Sequence, residues 1–168
     1  MARKLKTKIG DVFSVPINDE EKRYMQLIAF DLTQLNSDVI RAFKKTYSIN
    51  DKPILEEVIK DEIFFYAHCV TKFGIKLNLW EKVGNIENIG NIKDVIFKST
   101  NDYGHKKGEE PIKVSNDWYI WHISEDRIRV GKLDGNNRNA EIGLVVNPYD
   151  IVDRMKTGKY NFFYPDFE

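Results

Sequence analysis

The sequence predicts an α+β fold, mostly β: an antiparallel sheet or an SH3-like partial barrel with two short flanking helices. Three observations predict it. Apolar runs such as "DVFSVPI", "RYMQLIAFDL" and "EIFFYAHCV" have strand length and composition. Only two segments carry helical spacing with end signals. Four later runs, "PIKVS", "DWYIWHIS", "RIRVGKL" and "EIGLVV", are separated by short polar turns, the spacing of an antiparallel meander. The 168 residues fit one domain, spanning 1–168, with enough chain for a core without disulfides or metals.

The first strand opens at Gly10–Asp11. Gly10 permits a sharp entry and Asp11 can bond nearby backbone groups. Val12, Ser14 and Pro16 fall on one side, and Phe13, Val15 and Ile17 on the core side. Pro16 cannot donate to a ladder and belongs at a strand end or edge. "NDEEK" is a turn, and "RYMQLIAFDL" is the second strand. "DVIRAFKKTYS" is the third, with Val39, Arg41, Phe43, Lys45 and Tyr47 on one face.

"NDKPILEEVIKDE" then places Ile54, Leu55, Val58 and Ile59 at helical spacing, with Pro53 in the first turn. "EIFFYAHCV" returns to strand. "WEKVGNIENIGNIKD" is a turn-rich connection, and "STNDYGHKKGEEP" is the most polar loop. The second helix is the best marked. Asn147 caps it, Pro148 takes the first position, Ile151, Val152 and Met155 form its apolar side, and Gly158 ends it. The aromatic tail "YNFFYPDFE" is expected to pack back on the sheet as a last strand.

Composition bounds the function. Lys plus Arg equals Asp plus Glu at 26 each, whereas a protein that coats nucleic acid carries a basic excess. The leader residues Arg3, Lys4, Lys6 and Lys8 read as a solvated terminus. The single cysteine, Cys69, excludes an internal disulfide and lies in an apolar run, as a buried inert thiol does. No apolar run reaches the ~20 residues that span a bilayer, and no apolar signal core follows the leader, so the expected location is cytoplasmic.

The usual catalytic signatures are missing: no phosphate-cradling glycine loop, no dinucleotide fingerprint and no nucleophile elbow. His68, His105 and His122 are not at metal-ligand spacing, so no metal and no cofactor is expected. The acidic clusters at Asp19–Glu21, Glu56–Glu57 and Glu109–Glu110 read as solvated faces. In "DWYIWHI", Trp118, Ile120 and His122 share one face and Tyr119, Trp121 and Ile123 the other. A strand covered on both sides explains this plainly; the alternative is that one face supplies aromatic anchors to a partner.

"KIGDVFSVPI", followed by a long second strand, resembles the opening of the bacterial immunity protein 26 family. "LWEKVGNI", with Trp80, Val83 and Gly84, resembles that family's W-x-x-[IV]-G segment. The resemblance is clearest over roughly residues 8 to 90. Many members follow the first strand with a glycine-rich turn, where this chain has "NDEEKRYMQ". The resemblance implies a non-enzymatic antidote of a polymorphic toxin system, whose partner is a cognate protein toxin. On that basis Tyr103, Trp118 and Trp121 are the expected anchors, with Asp102, Glu109 and Glu110 as a polar rim. The opening is also similar to the first strand of PemK-like toxin barrels, which cleave RNA. That alternative, a nucleic-acid-binding or RNA-cleaving module, would poise Arg41 and Asp11 at a phosphate, with Lys44 and Lys45 alongside.

Overall fold

The computed structural model describes residues 4–168. Strand β1 (Asp11–Pro16) starts where expected, and Gly10 enters it at a φ of 95°, a conformation that suits glycine. The Asp11 carboxylate accepts from the Lys8 N–H at 2.9 Å, closing the turn into the strand. Pro16 ends β1, exposed. Of the basic leader, Lys4, Lys6 and Lys8 are exposed and Arg3 lies outside the described residues.

A six-stranded sheet forms around β1. Its order is β5–β3–β2–β1–β6, with β2 (Glu21–Asp31), β3 (Ser37–Phe43), β5 (Ile63–His68) and β6 (Glu81–Asn85). All pairings along this path are antiparallel. The expected third strand is interrupted: after β3 the chain leaves the sheet at Lys44 and rejoins β2 as β4 (Tyr47–Ser48). The stretch from Trp80 to Asp94 is not all turn, since β6 pairs with β1 as an edge strand. Glycine and asparagine are tolerable there because only one side of β6 has a neighbour.

A second, four-stranded sheet has the order β10–β7–β8–β9, with β7 (Ile96–Thr100), β8 (Trp118–His122), β9 (Ile128–Gly131) and β10 (Glu141–Ile142). β7–β8–β9 is antiparallel, but β10 runs parallel to β7, so the late segments are not a simple meander. "PIKVS" contributes only a bridge between Val114 and Asp166. That bridge is the ladder contact of the aromatic tail, which does pack back on the protein.

Among the described residues there are three short helices, one more than expected: α1 (Leu55–Val58), α2 (Thr71–Lys76) and α3 (Pro148–Thr157). In α1 the N-cap is Ile54, so Pro53 precedes the helix instead of opening it. In α3 every end signal is used. The Asn147 side chain accepts from the Tyr149 N–H at 2.9 Å, and Gly158 closes the helix at a φ of 85°.

The large sheet is the middle layer. One face buries Phe13, Val15, Met25, Leu27, Ile40, Ala42, Phe65 and Ala67 beneath Ile151, Val152 and Met155 of α3. The opposite face has two covers. Val58 of α1 closes one end over Val12, Tyr24 and Phe43; the small sheet closes the other, with Phe97 and Trp121 over Ile28, Ala29 and Val39. A β-bulge at Ile28 shifts the register between Leu27 and Ala29 and lets β2 serve both covers. The arrangement is an open pair of sheets, not a closed barrel.

Candidate functional site

The loop between β7 and β8, residues 101–117, is the most exposed polar segment of the small sheet. Its base is tied down. Thr100 Oγ1 and Ser115 Oγ lie 2.7 Å apart, and Ser115 Oγ donates to the Asp102 carboxylate at 2.7 Å. The Asp102 N–H donates to Thr100 Oγ1 at 3.1 Å. Asp117 accepts from Arg129 Nε at 2.8 Å, joining the loop to β9. Between these ties the chain is exposed from Tyr103 to Glu110.

The candidate residues divide by burial. Tyr103 is 45% exposed, and its ring lies 4.8 Å from that of Tyr164. Glu109 and Glu110 stand in solvent beyond it, and Asp102 is half-buried at the loop's base. Ile112 and Val114 add exposed apolar surface on the returning arm. Trp118 and Trp121, however, are interior at 0% and 2% exposure. A side chain without accessible surface offers a partner nothing to touch. Trp118 donates to the Ser115 carbonyl at 2.8 Å and is covered by Tyr164, 6.1 Å away. Trp121 points to the opposite face, between the sheets. The strand is covered on both sides, and the accessible aromatic of the loop is Tyr103. Its neighbour Tyr164 belongs to the tail and has no sequence signal linking it to the loop.

The groups that would serve a phosphate are engaged elsewhere. Arg41 donates from Nε to Gln26 Oε1 at 2.9 Å and from Nη2 to the Asn88 carbonyl at 3.0 Å. The Asp11 carboxylate is buried and held by Lys82 and by Asn85 Nδ2, each at 2.9 Å. Lys44 faces Glu62, and Lys45 lies over the Tyr47 ring. Arg41 and Asp11 thus serve the scaffold.

A buried cluster that sequence reading missed joins the two sheets. Asp31 of β2 is fully buried. Its Oδ2 accepts from His68 Nε2 at 3.0 Å and from Trp121 Nε1 at 3.2 Å. Its Oδ1 accepts from the backbone N–H of Gln34 at 3.0 Å and of Ser124 at 3.2 Å. Burial pushes the His68 imidazole below its ordinary pKa, opposed by the Asp31 carboxylate. His68 therefore sits neutral, with its Nε2–H given to Asp31. With the imidazole and the carboxylate both closed to solvent, the pair is a clamp and not a catalytic dyad. Cys69 beside it is buried, and burial pushes its thiol well above the ordinary range, so it is not a poised nucleophile. No helix among the described residues is long and apolar enough to cross a membrane.

Comparison with known proteins gives one result. A family model described as Immunity protein 26 matches residues 8–109, more than half of the chain. The match takes in the whole large sheet, α1, α2 and β7, and ends inside the exposed loop. No curated protein and no solved structure matches.

Proposed function

The chain belongs to the immunity protein 26 family, and from that premise we propose that it binds a cognate bacterial toxin domain and blocks it sterically, without chemistry of its own. The observation that carries the reading is the family match over residues 8–109. The structure supports a contact face at the 101–117 loop: Tyr103 as anchor, Ile112 and Val114 beside it, and Asp102, Glu109 and Glu110 around it. Exposed aromatics anchor interfaces because they bury large area at little cost in rotamer entropy, while charges at the rim set encounter rate. The loop 101–117 carries Lys106, Lys107 and Lys113 against Asp102, Glu109, Glu110 and Asp117. Such a mixed surface suits a protein partner better than a pure phosphate mimic. A standard interface would remove about 800 Å² from each side.

The test is co-expression with the toxin domain encoded beside this chain, in the cytoplasm of a bacterial host. Survival of the host and co-purification of the two proteins are expected. Death of the host with the chain folded and abundant would overturn the proposal.

A further inference from the structure

A cavity of about 320 Å³ opens between β7, β10 and the C-terminal end of α3, lined by Lys98, Glu141, Arg154, Lys159 and Tyr160 among others. Its charges do not balance. Glu141 is held by Arg154 through two bonds, at 2.7 and 3.2 Å. That leaves Lys98 and Lys159 without a carboxylate in the lining. The Lys98 ammonium rests on two aromatic faces, Trp118 at 5.4 Å and Phe167 at 4.9 Å. Among the described residues it makes no ion pair and no hydrogen bond. Burial pushes its pKa below the ordinary lysine range, as does Arg154, while Glu141 and Asp166 pull it up.

The Tyr160 hydroxyl adds a second unmet donor: it is buried and has no hydrogen-bond partner. The Arg154 guanidinium lies over the Tyr160 ring at 4.7 Å and can only donate toward its oxygen, so the hydroxyl proton is left without an acceptor. An orphan hydroxyl alone would be met by a water, for which the cavity has room. A water does not neutralise a half-buried ammonium; an anion does. The two unmet donors together suit a ligand with negative charge and acceptor oxygens.

We propose that this cavity is an oxyanion site, with the Lys98 ammonium and the Tyr160 hydroxyl as its donors and Lys159 at its mouth. The ligand is a carboxylate or a phosphate, small enough to sit between β10 and α3. The contrast with a larger cavity lined by lysines sharpens the case. That one, about 510 Å³ beneath α1, is lined by Lys22 and Lys82. Lys22 donates to the carbonyls of Ile49 and Asp51 at 3.1 and 2.5 Å, and Lys82 pairs with Asp11. Lys22 and Lys82 thus already have acceptors, and the third cation of that lining, Lys52, stands exposed in solvent. The proposal stands apart from toxin binding, since it concerns the chain alone.

The experiment is a titration of the purified chain with inorganic phosphate in one arm and acetate in the other. It is followed through the backbone amide resonances of Lys98, Glu141 and Gly143, with sodium chloride at matched ionic strength as the control. Saturable shifts in at least one arm are expected, and the arm that saturates at lower concentration identifies the oxyanion. Lys98→Met should weaken binding by about tenfold or more, the loss of one charge-assisted contact. Tyr160→Phe and Lys159→Ala should each weaken it by a smaller factor, and they carry the test if Lys98→Met does not fold. Shifts no larger than those of chloride, or saturable shifts that survive Tyr160→Phe and Lys159→Ala unchanged, would overturn the site.

Discussion

The large and small sheets handle their polar groups in opposite ways. In the large sheet buried polar side chains turn inward onto partners of the same scaffold, with His68 Nδ1 the exception: Arg41 on Gln26, Asp11 on Lys82 and Asn85, Lys22 on two backbone carbonyls. In the small sheet the base of the loop is equally well tied, yet its tip is left in solvent and Lys98 is left without an anion. The first pattern belongs to a scaffold, where an unmet polar group only costs stability. The second is the pattern that the proposed contact surface and anion site would need. Asp31 joins the two regions, reaching from β2 to Trp121 of β8 and to the backbone of Ser124.

The contrast breaks first where the scaffold is damaged. Phe13→Ala empties the fully buried centre of the face beneath α3 and should cost about 3–5 kcal/mol. Denaturant unfolding measures it, and a loss below about 1 kcal/mol would contradict the packing described. Asp31→Ala is next. It removes the common acceptor of His68, Trp121, Gln34 and Ser124, at a cost of roughly 3 kcal/mol. Because the clamp spans both sheets, the small sheet should lose hydrogen-exchange protection before the large one. Simultaneous loss across both would show that the two regions are not separable.

A smaller effect comes from pH. The folded pKa of His68 is lowered, so the unfolded chain binds a proton that the folded chain refuses. Stability from this group is therefore present above the ordinary histidine range, near pH 6.5, and falls as the pH drops below it. The melting temperature should decline on acidification from neutral pH, and His68→Gln should flatten that decline between about pH 6.5 and the folded pKa. An unchanged slope in His68→Gln would assign the acid sensitivity to other groups. Least of all, Tyr103→Ala should alter stability by no more than about 0.5 kcal/mol, as an exposed loop side chain does.

What the sequence revealed follows the range of the forces involved. The ends of α3 were legible because Asn147, Pro148 and Gly158 act on residues next to them. The face of β1 was legible because alternation is local, and Phe13 and Val15 lie in the core as expected. α2 was not, since Val70 caps it without a side-chain bond and Gly74 interrupts its helical composition. That glycine is explained only by Trp80: a Cβ at Gly74 would stand 2.0 Å from the indole ring. The parallel pairing of β10 with β7 joins residues more than forty apart, and nothing in either strand announces it. The tryptophans of β8 illustrate the limit at the candidate site. Their opposite orientations were readable from alternation, but their covers were not: Tyr164 comes from the tail and Asp31 from β2. The Lys98–Tyr160 cavity likewise joins residues that share no local motif.

The account rests on the loop of the small sheet being a presented surface and not part of what holds the protein together. Its most direct test is calorimetric binding of the toxin domain encoded beside this chain, to the wild type and to Tyr103→Ala, with unfolding midpoints measured on the same samples. The account predicts an affinity weaker by about tenfold or more, the size of an interface hot spot, at an unchanged midpoint. Unaltered affinity with the midpoint also unaltered would move the contact face away from this loop and contradict the division between the two sheets.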